Sequence, residues 1–277
     1  MKVLLLMARY APNTAISLRI KYFIEALRNK GFDIRIHEIK LPSSKLMTLL
    51  SCLRPRISSK LEADATWADV IFTTTPPPLL PILAHMLHFR TGKRYIIDIR
   101  DVWEEYAKTV YPKFIVRLIE KKYLRALSCA SALIVVTSYL AKLYYTKLNV
   151  QPVIIPNGTD VSVIKCRIEE HDNNTIAVLA DFNNPYQDMT PLLKALVKLP
   201  HIKLIVIGGG RYLEKYMQEA EKLNIGNQIA WIGHVNYELL PRFLCKASIG
   251  IVCRPVSYTH LRAHETSLHL VCRLLLE

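Results

Sequence analysis

The chain has 277 residues, 51% of them hydrophobic and 22% charged. That is enough apolar surface to exclude wholesale disorder, and the length suits about two domains. Lysine and arginine number 37 against 23 acidic residues, a net charge of +14, and the excess is concentrated: 24 basic and 11 acidic residues precede Gly158, while 13 and 12 follow. Such asymmetry suits an anionic partner met by the first half, whether a membrane surface, a phosphorylated acceptor or nucleic acid, set against the plainer reading of a solvated basic surface.

In chain order, strand-like runs are expected at Lys2–Met7, Asp33–Ile39, Asp69–Thr73, Arg94–Asp98 and Ala132–Thr137. Helical spacing lies between them, for example Leu18, Phe23, Ile24 and Leu27 before Gly31, and Ile115, Leu118, Ile119, Tyr123 and Leu124. Strands apolar on both faces and joined by helices imply a parallel, doubly wound sheet. Pro152–Asp160 is read as a connector, with Pro and Asn-Gly punctuation. A second βα series follows, with strands at Ile176–Ala180, Lys203–Ile207, Gln228–Ile232 and Ser248–Cys253 and helices near Met189–Leu199, Arg211–Leu223 and Tyr237–Lys246. The expected division is residues 1–157, 158–256 and a tail at 257–277. That tail supplies no next strand, so the second sheet is expected to be incomplete, Ser257–Glu277 to be non-native, and the chain as written to lack turnover.

The apolar start Val3–Ala8 is short for a signal-peptide core, and Pro76–Phe89 is broken by Pro81, His85 and His88. No export or bilayer-spanning segment is expected, and the expected location is cytoplasmic. Cys52, Cys129, Cys166, Cys245, Cys253 and Cys272 form no C-x-x-C pair and are expected to be reduced, mostly structural thiols. His260 and His264 with Glu265 fall short of H-E-x-x-H because the next histidine is His269, so no metal site is expected.

Charged residues cluster at two strand ends. Asp98, Arg100, Asp101, Glu104 and Glu105 stand where a buried strand emerges, the edge at which open α/β sheets bind ligands, although a salt-bridged corner would use Asp98, Arg100 and Asp101 equally well. Gly208-Gly209-Gly210-Arg211 follows a strand and opens a helix, a turn in which backbone amides approach an anion; a tight strand-to-helix turn is the plainer account. Lys40–Lys60 mixes Lys40, Lys45, Arg54, Arg56 and Lys60 with leucines and contains no acid. That composition suits either an interfacial segment on anionic lipid or a helix packed on the sheet. No recognition-helix or base-stacking pattern accompanies the charge, and a nucleic-acid partner is not expected.

The ordered motifs Ser17-Leu-Arg19, Asp69…Thr-Pro76-Pro77, Asp98-Ile-Arg-Asp101-Val-Trp103, Pro156-Asn-Gly-Thr-Asp160, Ile207-Gly-Gly-Gly210 and Trp231-Ile-Gly233-His-Val235 resemble glycosyltransferase family 4 over about residues 1–255. Asp-x-Arg-Asp-x-Trp is similar to the branch that builds cell-envelope polysaccharides. The resemblance implies the GT-B fold, with two doubly wound, Rossmann-like domains. It implies retaining transfer from a nucleotide-sugar, often UDP-linked, to a lipid-linked or saccharide acceptor, with no metal and no cofactor beyond that donor. By the same resemblance Asp98, Arg100 and Asp101 would be catalytic, Asn13, Ser17 and Arg19 would lie on the acceptor side, and Gly208, Gly209, Gly210, Arg211, Gly233, His234 and Val235 would bind the nucleotide. An anionic membrane surface is the expected partner of the basic half, giving peripheral association.

Three departures from the family pattern stand out. The Ala11–Ala15 loop lacks glycine, Asp181–Asp188 lacks a cation for the diphosphate, and the late pair of glutamates has no counterpart. A non-catalytic basic module that docks on membranes or on a partner is the reading from another class, and a nucleotide-sugar epimerase of the same fold is a third.

Overall fold

A computed structural model describes residues 1–10, 14–42, 44–158, 166, 172–183 and 187–253. The chain separates into two compact units, Met1–Pro156 and Asn157–Glu277. The tail expectation at Ser257–Glu277, the metal question at His260–His269, and Asn13 lie outside the described residues.

The first unit is a six-stranded parallel sheet: β1 (Lys2–Ala8), β2 (Asp33–Ile39), β3 (Val70–Thr75), β4 (Arg94–Ile99), β5 (Ala132–Val135) and β6 (Val153–Ile154), arranged β2-β1-β3-β4-β5-β6. Strands β1, β3 and β4 are buried on both faces, as their unbroken apolar runs require. Strand β2 forms an edge and alternates Asp33, Arg35, His37 with isoleucines, charges that discourage edge-to-edge pairing. Strand β6 corrects the sequence reading, because the connector contributes Val153 and Ile154 to pair with Ile134 and Val135. Two residues are too short a run to register as a strand pattern.

Helices α1 (Ala15–Asn29), α2 (Lys45–Ser51), α3 (Ser59–Trp67), α4 (Leu79–Thr91), α5 (Trp103–Val110), α6 (Lys113–Ser128) and α7 (Ser138–Leu148) connect the strands. The start of α1 is set by a capping box: Thr14 Oγ1 accepts from the Ser17 amide at 3.2 Å, and the Thr14 amide donates to Ser17 Oγ at 2.9 Å. Helix α4 presents Leu79, Leu80, Ile82, Leu83 and Leu87 to the largest core and ends at Gly92, whose φ of 68° is the left-handed cap. Helix α6 buries Val116, Ile119, Tyr123 and Leu127, whereas Leu118, assigned by spacing to the same face, is 56% exposed.

The second unit is a four-stranded parallel sheet among the described residues: β7 (Asp172–Leu179), β8 (Lys203–Ile207), β9 (Ile229–Gly233) and β10 (Ala247–Ile251), ordered β10-β7-β8-β9. Helices α8 (Thr190–Leu196) and α9 (Leu213–Lys222) cover one core with Phe182, Met189 and Tyr216. The helix expected at Tyr237–Lys246 is instead a 3₁₀ turn at Tyr237–Leu239 followed by the single turn α10 (Pro241–Leu244), because Pro241 supplies no amide to continue the first turn. Cys166 and Cys245 form a disulfide with Cα atoms 5.1 Å apart, which overturns the expectation that all six thiols are reduced. Their 79-residue separation hid the pair.

Candidate active site

In both sheets the strand order reverses beside the first strand, between β1 and β3 in one unit and between β7 and β10 in the other. The loops leaving the carboxyl ends of such strands diverge, and ligands of open α/β sheets bind there.

At the first edge Asp98 is the penultimate residue of β4 and 1% exposed. Arg19, from the second turn of α1, donates from Nη2 to Asp98 Oδ1 at 2.7 Å and from Nε to Oδ2 at 3.0 Å. The same guanidinium reaches the Ile155 carbonyl at 2.9 Å and the Pro156 carbonyl at 3.1 Å, and stacks 4.8 Å from the Phe23 ring. A carboxylate removed from water in this way is satisfied by its partners; removing one partner would strand the other charge. Asp98 therefore sits inside the salt-bridged corner that the sequence also allowed, with its carboxylate turned to Arg19.

Arg100, one residue past β4, is also buried. Its Nε donates to Thr74 Oγ1 at 3.0 Å and its Nη2 to the Pro76 carbonyl at 3.0 Å. The Thr74 hydroxyl in turn donates to Asp98 Oδ2 at 3.4 Å, so one threonine links the two charged residues. Tyr10, just after β1, donates its hydroxyl to the same Pro76 carbonyl at 3.1 Å and places its ring 5.9 Å from the Arg100 guanidinium. Burial raises the Tyr10 hydroxyl above its ordinary value and lowers the Arg100 guanidinium below its own, as expected for groups held away from water. Tyr10 and Pro76 leave β1 and β3, so this contact bridges the point where the strand order reverses. Asp101 is partly exposed and precedes α5. Ser17 spends its hydroxyl on the α1 cap, accepting from the Thr14 amide and donating to the Thr14 carbonyl at 2.9 Å.

Glu104, expected among the charges that face a ligand, is instead buried in a polar chain behind this edge that spacing does not reveal. Glu104, in the first turn of α5 and wholly buried, accepts from Lys147 Nζ at 2.9 Å and from the Tyr144 hydroxyl at 3.2 Å. Tyr123, also wholly buried, meets Thr75 Oγ1 at 3.5 Å, and burial pushes the Tyr123 and Tyr144 hydroxyls well above the ordinary tyrosine range. Glutamate immediately after Trp103 was the available signal, because a charged residue on the apolar side of a short helix requires partners.

At the second edge the three glycines follow β8. Gly208 and Gly210 have φ of 128° and 144°, and a Cβ on either would collide with backbone of Ala180 or Phe182. The glycines thus let the loop after β7 lie directly against the loop after β8: the Phe182 amide donates to the Gly209 carbonyl at 3.0 Å and the Tyr212 amide to the Phe182 carbonyl at 3.1 Å. Two amides assigned to a phosphate by spacing are already engaged. Gly208 donates to the Gly233 carbonyl at 2.7 Å, and Arg211 donates to Asn183 Oδ1 at 3.1 Å. Among the described residues, exposed charge-bearing or titratable groups at this edge include the Arg211 guanidinium, stacked 4.7 Å from the Tyr212 ring, His234, which follows Gly233 with its φ of 76°, and the Asp181 carboxylate in the loop after β7. Val235 packs with Ile205, Ile207 and Leu240 in the core on that face. No group of three or more metal-ligating side chains occurs among the described residues.

The glycosyltransferase family 4 model matches residues 19–163, just over half of the chain, and the glycosyl transferases group 1 model matches residues 167–256. A search of curated proteins finds no match. Among solved structures, HepE of Anabaena in complex with UDP superposes with a TM-score of 0.63 at 14% identity, over 90% of this chain and 73% of that one. Sucrose-phosphate synthase of Thermosynechococcus elongatus gives 0.62 at 14% identity, over 95% and 79%. The lipopolysaccharide outer core galactosyltransferase WaaB in its apo form gives 0.61 at 11% identity, over 92% and 74%. Two parallel, doubly wound sheets, the matching family models and these shared GT-B folds converge: the chain belongs to glycosyltransferase family 4.

Proposed function

We propose that the protein transfers a glycosyl residue from a nucleotide-sugar, UDP-linked, to a lipid-linked or saccharide acceptor used in building a cell-envelope polysaccharide, with retention of anomeric configuration. The observation that carries this reading is family membership along the chain, together with a reversal of strand order in each sheet. The second unit takes the donor and the first takes the acceptor. In the transfer, the acceptor hydroxyl oxygen forms the new bond to the anomeric carbon while the bond to the nucleoside diphosphate breaks, and the hydroxyl proton passes to the departing diphosphate. Negative charge then grows on the departing phosphate, and the exposed Arg211 guanidinium is a group at the second edge suited to stabilise it, with the exposed His234 at the same edge near Gly209.

On the acceptor side, Asp101 is the partly exposed carboxylate of the corner and the one we assign to an acceptor hydroxyl, whereas the buried Asp98 acts through Arg19 and Thr74. Arg100, clamped by Thr74 and the Pro76 carbonyl, fixes the backbone on which Asp101 stands. The galactosyltransferase WaaB supplies the precedent for sugar transfer on this fold, HepE is known with UDP and with UDP-glucose bound, and the motif Asp-x-Arg-Asp-x-Trp supports the envelope assignment.

Isothermal titration with UDP, UDP-sugars and NAD, followed by product analysis of the anomeric centre, tests the reading. Binding of a UDP-sugar with retained configuration in the product is expected. Tight NAD binding without UDP binding would overturn it. Vesicle binding without any nucleotide binding would favour the non-catalytic docking module instead.

A further inference from the structure

Helix α6 presents two unlike faces. Its inner face is core. Its outer face carries Phe114, 69% exposed, and Leu118, 56% exposed, four residues apart and therefore one above the other. Lys113, Arg117 and Lys121 repeat at the same spacing alongside them, all exposed. Val110, at the end of α5, is a further exposed apolar side chain, 49% exposed, four residues before Phe114. The acids nearby are already held: Lys108 takes Glu120 at 2.9 Å and Glu105 at 3.4 Å, and Lys147 lies 3.7 Å from Glu105. Large apolar side chains in water, flanked by cations whose local counter-charges are engaged, are the composition of an interfacial helix rather than of a solvated one.

We infer that the outer face of α6 docks the protein on an anionic lipid bilayer, with Phe114 and Leu118 entering the boundary between headgroups and acyl chains while Lys113, Arg117 and Lys121 meet lipid phosphates. Charge complementarity selects this occupant, since the cationic stripe runs the length of the apolar strip and half of the molecule carries nearly all the net positive charge. The long cationic side chains lay their methylenes along the apolar strip and keep their heads at the phosphates. The surface relocates the membrane expectation that the sequence placed at Lys40–Lys60. There α2 buries Leu49 while leaving Leu46 and Met47 exposed, and Lys122 of α6 donates to the Leu53 carbonyl at 2.7 Å just beyond α2, which sets the two segments side by side.

The inference deepens the lipid-linked acceptor reading, and its test contains neither donor nor acceptor, so the two can fail separately. The full chain is sedimented with sucrose-loaded vesicles of equal parts phosphatidylglycerol and phosphatidylcholine. Binding is expected at low salt and is expected to weaken with added salt. Phe114→Ser with Leu118→Ser lowers partitioning at least about ten-fold with little change in melting, because both side chains are exposed in the free protein. Arg117→Gln and Lys121→Gln each lower it about five-fold. Phe114→Trp, which keeps an interfacial side chain, retains binding. Undiminished binding by the double serine variant, equal binding to pure phosphatidylcholine, loss of binding in Phe114→Trp, or a dimer that Phe114→Ser dissolves would each overturn the inference, the last by assigning the face to a second copy of the chain.

Discussion

One nitrogen of Arg19, Nη2, lies 2.7 Å from Asp98 Oδ1 and 2.9 Å from the Ile155 carbonyl. A helix near the amino terminus, a central strand and the last residues of the first unit therefore share one guanidinium. Removing one partner leaves a buried charge unpaired, at a cost of about 3–5 kcal/mol. Asp98→Ala and Arg19→Ala are expected to lower the melting of the first unit by roughly 10 °C, read by differential scanning calorimetry. A double Arg19→Leu, Asp98→Leu variant should recover part of the loss. A double variant whose loss equals the sum of the two single losses would show that the pairing contributes little.

Asp101 should separate activity from stability. It is partly exposed, so Asp101→Asn is expected to shift stability by no more than about 0.5 kcal/mol and, in a parent enzyme that turns over, to lower kcat on the order of 100-fold. Transfer rates measured beside thermal melts decide it; a large fall in melting with unaltered turnover would return Asp101 to the structural corner.

Gly208→Ala and Gly210→Ala introduce a Cβ into backbone at φ of 128° and 144°. Each is expected to destabilise the second unit by at least about 1–3 kcal/mol, seen in urea unfolding, and to leave the first unit's transition in place. Gly158→Ala, where a Cβ meets nothing within 4 Å, is the control and should be nearly neutral.

Asp64 supplies a pH-dependent term. Burial alone would raise its carboxyl, but His37 at 2.7 Å and Arg35 at 2.9 Å hold it below the ordinary aspartate value. A depressed folded value means that the stabilisation is complete above the unfolded pKa of about 3.9 and is lost as pH falls through the lower folded value. Acid titration of the fold should therefore lose part of its slope below about pH 4 in Asp64→Asn, relative to the parent chain. Superimposable acid limbs would exclude the contribution.

Much of the fold was legible because parallel strands buried on both faces leave unbroken apolar runs, as at Lys203–Ile207, which coincides with β8 to the residue; the edge strand β2 coincides with Asp33–Ile39 through its alternation of charged residues and isoleucines instead. What was hidden depended on distance along the chain. Arg19 meets Asp98 79 residues later, and nothing local in either segment names the other. Spacing counted Leu118 among the core positions of α6 because it recurs with Ile115 and Ile119, yet a helix offers more apolar positions than its buried stripe can use. Glycines at 208–210 announced a close approach correctly in kind, but sequence could not tell a phosphate from the neighbouring loop, since both ask only for the absence of a side chain.

The bond between Cys166 and Cys245 bears on how the second sheet is assembled. Cys166 lies six residues before β7 begins and Cys245 two residues before β10, and the two strands pair from Asp172 and Ala247 onward. The bridge thus ties together the amino ends of the first and last strands of the sheet, with β8, β9 and their helices inside the covalent ring. Closing a loop of that length costs a free chain on the order of 4 kcal/mol in entropy. In the oxidised chain, that cost is already met before β10 finds β7. Under reducing conditions the strand pairing must bear it alone, so the edge where strand order reverses becomes the part of the second unit whose formation is most sensitive to the redox state of its surroundings.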